Sequence, residues 1–144
     1  MEAAQKGKVL ITGVTGFIGS HVCLQFLSAD KFTVRGTVRS LKNAKKINPI
    51  RSAFGEEKFA QLELVEADLK APESLDKAVE GCDFVVHVAS PFPASQPWSE
   101  KNVIKPAVDG TIAILNACVK HGIKKLVVTS SAHAVYASGV EEGF

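Results

Sequence analysis

With 144 residues, 46% of them apolar, the chain is sized for one domain with a sizeable core. Its formal charge of +2 gives no overall basis for binding nucleic acid or a membrane surface, and no apolar run approaches the roughly 20 residues that span a bilayer. Cys23, Cys82 and Cys118 form no C-x-x-C pair and the N-terminus carries no secretory apolar segment, so reduced thiols in the cytoplasm are expected.

Short β-rich runs alternate with longer helical stretches. KVLITG (8–13) is nearly continuous in apolar character, as in a strand buried on both faces. A glycine-rich turn follows, then a helix from Phe17 to Ser28 with Ile18, Val22, Phe26 and Leu27 at helical spacing. FTVRGTVR (32–39) reads as the second strand, and a basic, partly helical stretch runs from about Leu41 to Phe54. QLELVEADL (61–69) is the third strand. Pro72 suits the first turn of a short helix that stops near Gly81. DFVVHVAS (83–90) is the fourth strand, and PFPASQPW (91–98) is too rich in proline for regular structure. A long helix then reaches about His121, with Pro106 expected to kink it or mark its start. KKLVVTSS (124–131) is the fifth strand.

Strands and helices alternating in this way imply an α/β fold: a doubly wound parallel sheet of the Rossmann type, strand order 3-2-1-4-5. Such sheets bind ligands beyond the carboxyl ends of their strands. The chemistry is therefore expected just after Thr12, Arg39, Leu69, Ala89 and Thr129.

The turn after strand 1 carries Gly13, Thr15, Gly16, Phe17, Ile18 and Gly19. Glycines there let a pyrophosphate approach backbone N–H groups at a helix N-terminus, where the helix dipole also favours it. Because a buried strand precedes the turn and an amphipathic helix follows, dinucleotide binding is favoured over a plain glycine turn. At the end of strand 2 a cofactor without a 2′-phosphate usually meets Asp or Glu, but this chain has Arg39. Lys31, Arg35, Arg39, Lys42, Lys45, Lys46 and Arg51 follow one another with no acidic residue before Gly55. A solvated basic helix face is the plain alternative. The place of Arg39 after strand 2 points instead to NADP(H), whose 2′-phosphate an arginine fork can hold.

The spacing G-x-x-G-x-x-G in ITGVTGFIGSH, with TVRGTVR, EADL, HVASPFP, VIKPAVDGT and KKLVVTSSAHAVY, resembles the extended short-chain dehydrogenase/reductase superfamily. Within it the match is to the dihydroflavonol reductase and cinnamoyl-CoA reductase group, from about Lys8 to Tyr136. The resemblance implies Lys46 as a second basic residue at the phosphate and Asp68, with Leu69 beside it, at the adenine. It implies Val88, Ala89 and Ser90 along the ribose and nicotinamide side, and Ser131 as the hydroxyl that polarises a substrate carbonyl. For Asp68 a turn cap is the plain alternative, and for Ser131 a polar strand end.

The group's proton donor is a Tyr followed four residues later by Lys. Here Tyr136 is followed by Val140, so no such pair is present. The four histidines show no metal-ligand spacing and none is assigned a catalytic role; His133, close to the expected site, is a candidate neighbour of the substrate. The expected function is an NADPH-dependent reductase acting on a carbonyl of a small organic molecule. The 144 residues would be its N-terminal cofactor part, truncated before the later strands and the substrate-binding part, and inactive alone. Alternatives are a nucleotide-sugar epimerase or dehydratase, which the basic strand-2 end disfavours, and a non-catalytic NADP(H)-binding or redox-sensing module. No nucleic acid or membrane partner is expected. Self-association through the exposed sheet edge is.

Overall fold

The apolar run from Val9 to Ile11 sits at the centre of the fold. In the computed structural model, which describes residues 6–91, 99 and 101–135, it belongs to strand β1 (Gly7–Ile11). After it come α1 (Phe17–Ala29), β2 (Phe32–Val38), α2 (Ala44–Phe54), α3 (Glu56–Phe59) and β3 (Leu62–Glu66). The described chain continues with α4 (Pro72–Val79), β4 (Phe84–His87), α5 (Lys101–Lys120), β5 (Lys125–Val128) and α6 (Ala132–Val135). The five strands are parallel and lie in the order β3-β2-β1-β4-β5, the doubly wound arrangement read from the sequence.

Alternation along β1 builds two cores. Val9 and Ile11 face one side with Cys23 and Leu27 of α1, Val34 and Val38 of β2, and Ile50 and Phe54 of α2. Leu10 faces the other side with Leu75, Ala78 and Val79 of α4, Val85 of β4 and Ile114 of α5. Val9, Leu10 and Ile11 are all fully buried. Each side chain of this size contributes about 1.5–3 kcal/mol when taken from water. The cysteines are free and buried, and burial pushes the Cys23 thiol up to about 12. No helix among the described residues is long and apolar enough to cross a membrane.

Two expectations change. On α1, Leu27 is buried with Gly19 and Cys23, and Val22 and Phe26 pack against the same core, but Ile18 is half exposed, because the glycine turn fixes which side of the helix meets the sheet. Of the two alternatives for Pro106, it does not mark the start of α5: the helix begins at Lys101 and runs through it. The proline costs one hydrogen bond near the first turns, where the ladder is only beginning.

At Gly110, α5 comes close to the turn between β3 and α4. A Cβ there would lie 2.8 Å from Leu69 Cδ2 and 2.9 Å from Leu69 Cβ. Gly110→Ala is therefore expected to cost roughly 1–3 kcal/mol through overpacking. Adding Leu69→Ala to the same chain removes Cγ and Cδ2 but keeps Cβ, and is expected to recover part of the loss. Urea unfolding of the single and double variants checks this. Strictly additive losses would show that the two residues share no overlap.

Candidate functional site

Beyond the carboxyl ends of β1 to β4 opens a cleft of about 630 Å³. Its floor is made where the strands stop pairing. Gly13 leaves β1 with φ of 72°, a left-handed conformation that glycine adopts without strain. The Gly13 N–H donates to Thr37 Oγ1 at 3.0 Å and the Gly16 N–H to the Gly13 carbonyl at 3.0 Å, so the turn is tied to β2 and closed on itself.

Gly16 then caps α1 without a side-chain hydrogen bond, and the first turn carries no acidic residue. The N–H groups of a first helical turn have no partner within the helix. Phe17, Ile18 and Gly19, which carry them, all line the cleft. Opposite Gly16 is open space: a Cβ built there meets only the Gly13 carbonyl oxygen, at 3.4 Å. At Gly19 the same atom would fall 2.2 Å from that oxygen, so the helix rests directly on the turn. The Phe17 ring is largely exposed and tilts against His21, with ring centres 4.6 Å apart.

The wall supplied by β4 is held from below. Thr12 Oγ1 accepts the Val88 N–H at 3.0 Å and the Ala89 N–H at 2.9 Å, and it lies 2.9 Å from His87 Nδ1. Thr12 and His87 are buried, and burial holds the His87 imidazole below the usual histidine range, which favours its neutral form.

Around this cleft the chain gathers Gly13, Thr15, Gly16, Phe17, Ile18, Gly19, Arg39, Asp68, Leu69, Val88, Ala89 and Ser90. Arg39 is exposed and enters no ion pair among the described residues. Asp68 also makes the local turn: its Oδ1 accepts the Lys70 N–H at 2.9 Å, and its own N–H donates to Ser74 Oγ at 3.0 Å. Lys46, exposed on α2, and Ser131, exposed after β5, are not in the lining. Tyr136 and the His133 side chain lie outside the described residues. Among the described residues no group of His, Cys, Asp and Glu is arranged to hold a metal ion.

Thr12, Thr37, Lys70 and Pro106 line the cleft as well, and none of them was expected as a site residue. The period-2 alternation of strand 1 could have placed Thr12 on the Leu10 face, against strand 4. Nothing local marks Pro106, which arrives from the far end of the chain.

Residues 10–143 match the 3-beta hydroxysteroid dehydrogenase/isomerase family. The chain is 40% identical over 131 residues to dihydroflavonol 4-reductase of Hordeum vulgare, covering 90% of this chain and 36% of that protein. It is 39% identical over 133 residues to tetraketide alpha-pyrone reductase 1 of Arabidopsis thaliana, covering 90% and 39%. Among solved structures it resembles vestitone reductase from alfalfa (Medicago sativa L.), with a TM-score of 0.68, 34% identity and coverage of 90% and 37%. It also resembles yeast methylglyoxal/isovaleraldehyde reductase Gre2 complexed with NADPH, with a TM-score of 0.74, 29% identity and coverage of 90% and 38%. The chain thus spans a little over a third of the length of the relatives it matches.

Proposed function

The chain belongs to the 3-beta hydroxysteroid dehydrogenase/isomerase family and, within it, to the dihydroflavonol-reductase-like group; from that premise we propose that it is the NADP(H)-binding part of a carbonyl reductase. One observation carries the reading. A helix N-terminus without a side-chain cap, a glycine with open space before it and an unpaired arginine share the mouth of a single cleft. The cation pair Arg39 and Lys70 outweighs the lone carboxylate of Asp68 in that lining, which suits a ligand with several phosphates.

In this reading the first-turn N–H groups of Phe17, Ile18 and Gly19 take the pyrophosphate, and the bare Cα of Gly16 lets it approach. Arg39 forks around the 2′-phosphate, and Asp68 and Leu69 border the adenine. Val88, Ala89 and Ser90 keep side chains small or short where the ribose and nicotinamide pass. When bound, the cofactor supplies the hydride. Ser131 is proposed to donate a hydrogen bond to the substrate carbonyl oxygen, where charge develops. Proton donation is the part that this sequence does not provide as a Tyr-x-x-x-Lys pair, so reductase turnover by the 144 residues alone is expected to be slight.

The test is cofactor selectivity. Arg39→Ala is expected to weaken NADPH binding by about 1–3 kcal/mol, the scale of a lost charged hydrogen bond, and to leave NADH almost unchanged. Calorimetric titration with both cofactors decides it. Equal losses for the two would remove Arg39 from the phosphate site.

Self-association is proposed alongside. Among the described residues β5 is an edge strand, and Val127 and Val128 on it are 49% and 43% exposed. Such an edge pairs readily with another chain. Light scattering of the 144-residue chain is expected to report oligomers, and a monomer at all concentrations would refute it.

A further inference from the structure

One buried titratable group lies behind the β4 wall of the cleft without any part in the proposed chemistry. His87 closes β4, and its Nδ1 lies 2.9 Å from Thr12 Oγ1 across the β1–β4 seam. A hydroxyl has one proton to give and two lone pairs with which to accept. Both lone pairs of Thr12 are taken, by the N–H groups of Val88 at 3.0 Å and Ala89 at 2.9 Å. The Thr12 proton therefore has one place to go, and that is His87 Nδ1. An imidazole accepting at Nδ1 carries its proton on Nε2 and is neutral.

We propose that His87 is a positioning residue for the cofactor cleft: by accepting the Thr12 hydroxyl proton at Nδ1, it keeps both Thr12 lone pairs turned on Val88 and Ala89 and so holds the β4 wall. The proposal rests on the reading of the cleft as a dinucleotide site for its consequence, but not for its geometry. If Nδ1 carried the proton instead, Thr12 Oγ1 would have three N–H donors and two lone pairs. One of the three hydrogen bonds would fail, and the wall residues are the ones able to move away. Ala89 is also the residue against which the glycine turn is seated, since a Cβ on Gly13 would lie 3.1 Å from Ala89 Cβ. Loosening Ala89 thus loosens the turn that receives the phosphates. The rotation of one hydroxyl links the two sides of the cleft.

Three measurements test this. Long-range proton–nitrogen correlation spectra of the intact chain at neutral pH read the tautomer with no cofactor present. A protonated Nε2 with a bare Nδ1 is expected, and a protonated Nδ1 overturns the proposal. Amide hydrogen exchange reads the consequence. In His87→Leu the Val88 and Ala89 amides are expected to exchange about tenfold faster, the scale of one weakened hydrogen bond, while the amides of α1 stay unchanged. His87→Asn, whose side-chain oxygen can accept where Nδ1 did, is expected to restore protection. Uniform acceleration through the sheet, or no rescue by asparagine, overturns the proposal.

NADPH titration of the same variants is the third measurement, with several-fold weaker binding expected for leucine and recovery for asparagine. If the unaltered chain does not bind NADPH, the cofactor reading fails while the tautomer and exchange results still decide the role of His87 in the wall. If NADPH binds the unaltered chain and His87→Leu equally, only the positioning role fails. Should His87→Leu not fold, the tautomer in the unaltered chain decides.

Discussion

Gly19→Ala is expected to destabilise the chain by at least about 3 kcal/mol and to abolish dinucleotide binding with it. The added Cβ would stand 2.2 Å from the Gly13 carbonyl oxygen and 2.9 Å from the Gly13 carbonyl carbon. Both are backbone atoms, so no rotamer change relieves the overlap. Either α1 lifts off the sheet, exposing Cys23 and Leu27, or the turn opens; overpacking that forces backbone to move lies at or above the top of the usual 1–3 kcal/mol range. Gly16→Val is the informative partner. A Cβ there meets only one atom, at 3.4 Å, so the fold should survive while the valine fills the space proposed for the pyrophosphate. Urea unfolding and NADPH titration of both variants separate the two roles. A Gly16→Val chain that folds and still binds NADPH would place the phosphates elsewhere.

Thr12→Val is expected to produce the next largest loss. Valine keeps the shape of threonine but offers no acceptor, so the N–H groups of Val88 and Ala89 lose their partner together, and His87 loses the proton it accepts. Each unpaired N–H costs roughly 1–3 kcal/mol when shielded from water. Since both are only part-buried, a combined loss of about 2–4 kcal/mol is expected, with weaker NADPH binding in the fraction that folds. Thr12→Ser retains the hydroxyl and should stay close to the unaltered chain on both measures. Equal damage from serine would assign the effect to the lost methyl group and its packing.

The strand order was legible because each strand is a compact apolar run set off by a turn, and because right-handed crossovers leave few topologies open. Strand ends were less so. The sequence suggested strands reaching Gly13, Leu69, Ser90 and Ser131, whereas the ladders stop at Ile11, Glu66, His87 and Val128. Among the residues in between, Gly13 turns left-handed and Val88 and Ala89 give their N–H groups to Thr12 instead of to a neighbouring strand. α3 was missed for a different reason. Glu56–Phe59 is one short turn following Gly55, whose φ is 76°, and nothing in its hydrophobic spacing sets it apart from α2. The cleft lining was readable where it is local, as at the glycine turn and Arg39. It was not where partners meet from distant segments: Pro106 against the cleft, and His87 beneath its wall.

The seam between β1 and β4 also dictates when a cleft can exist. Thr12 and His87 touch across 75 positions of sequence, and β1 cannot gain its second neighbour until β4 has been made. As the chain emerges from a ribosome, at roughly 5–20 residues per second, β1 can zip to β2 early but must wait several seconds with its other edge open. Contacts of such long range slow folding, because loop closure comes before any reward. Over that interval Val9 to Ile11 form an unprotected template, and the growing chain is most exposed to chaperones and to mispairing. A cofactor that binds only the closed cleft could not guide these early steps. Its influence would begin once the last residues of β4 had joined the sheet.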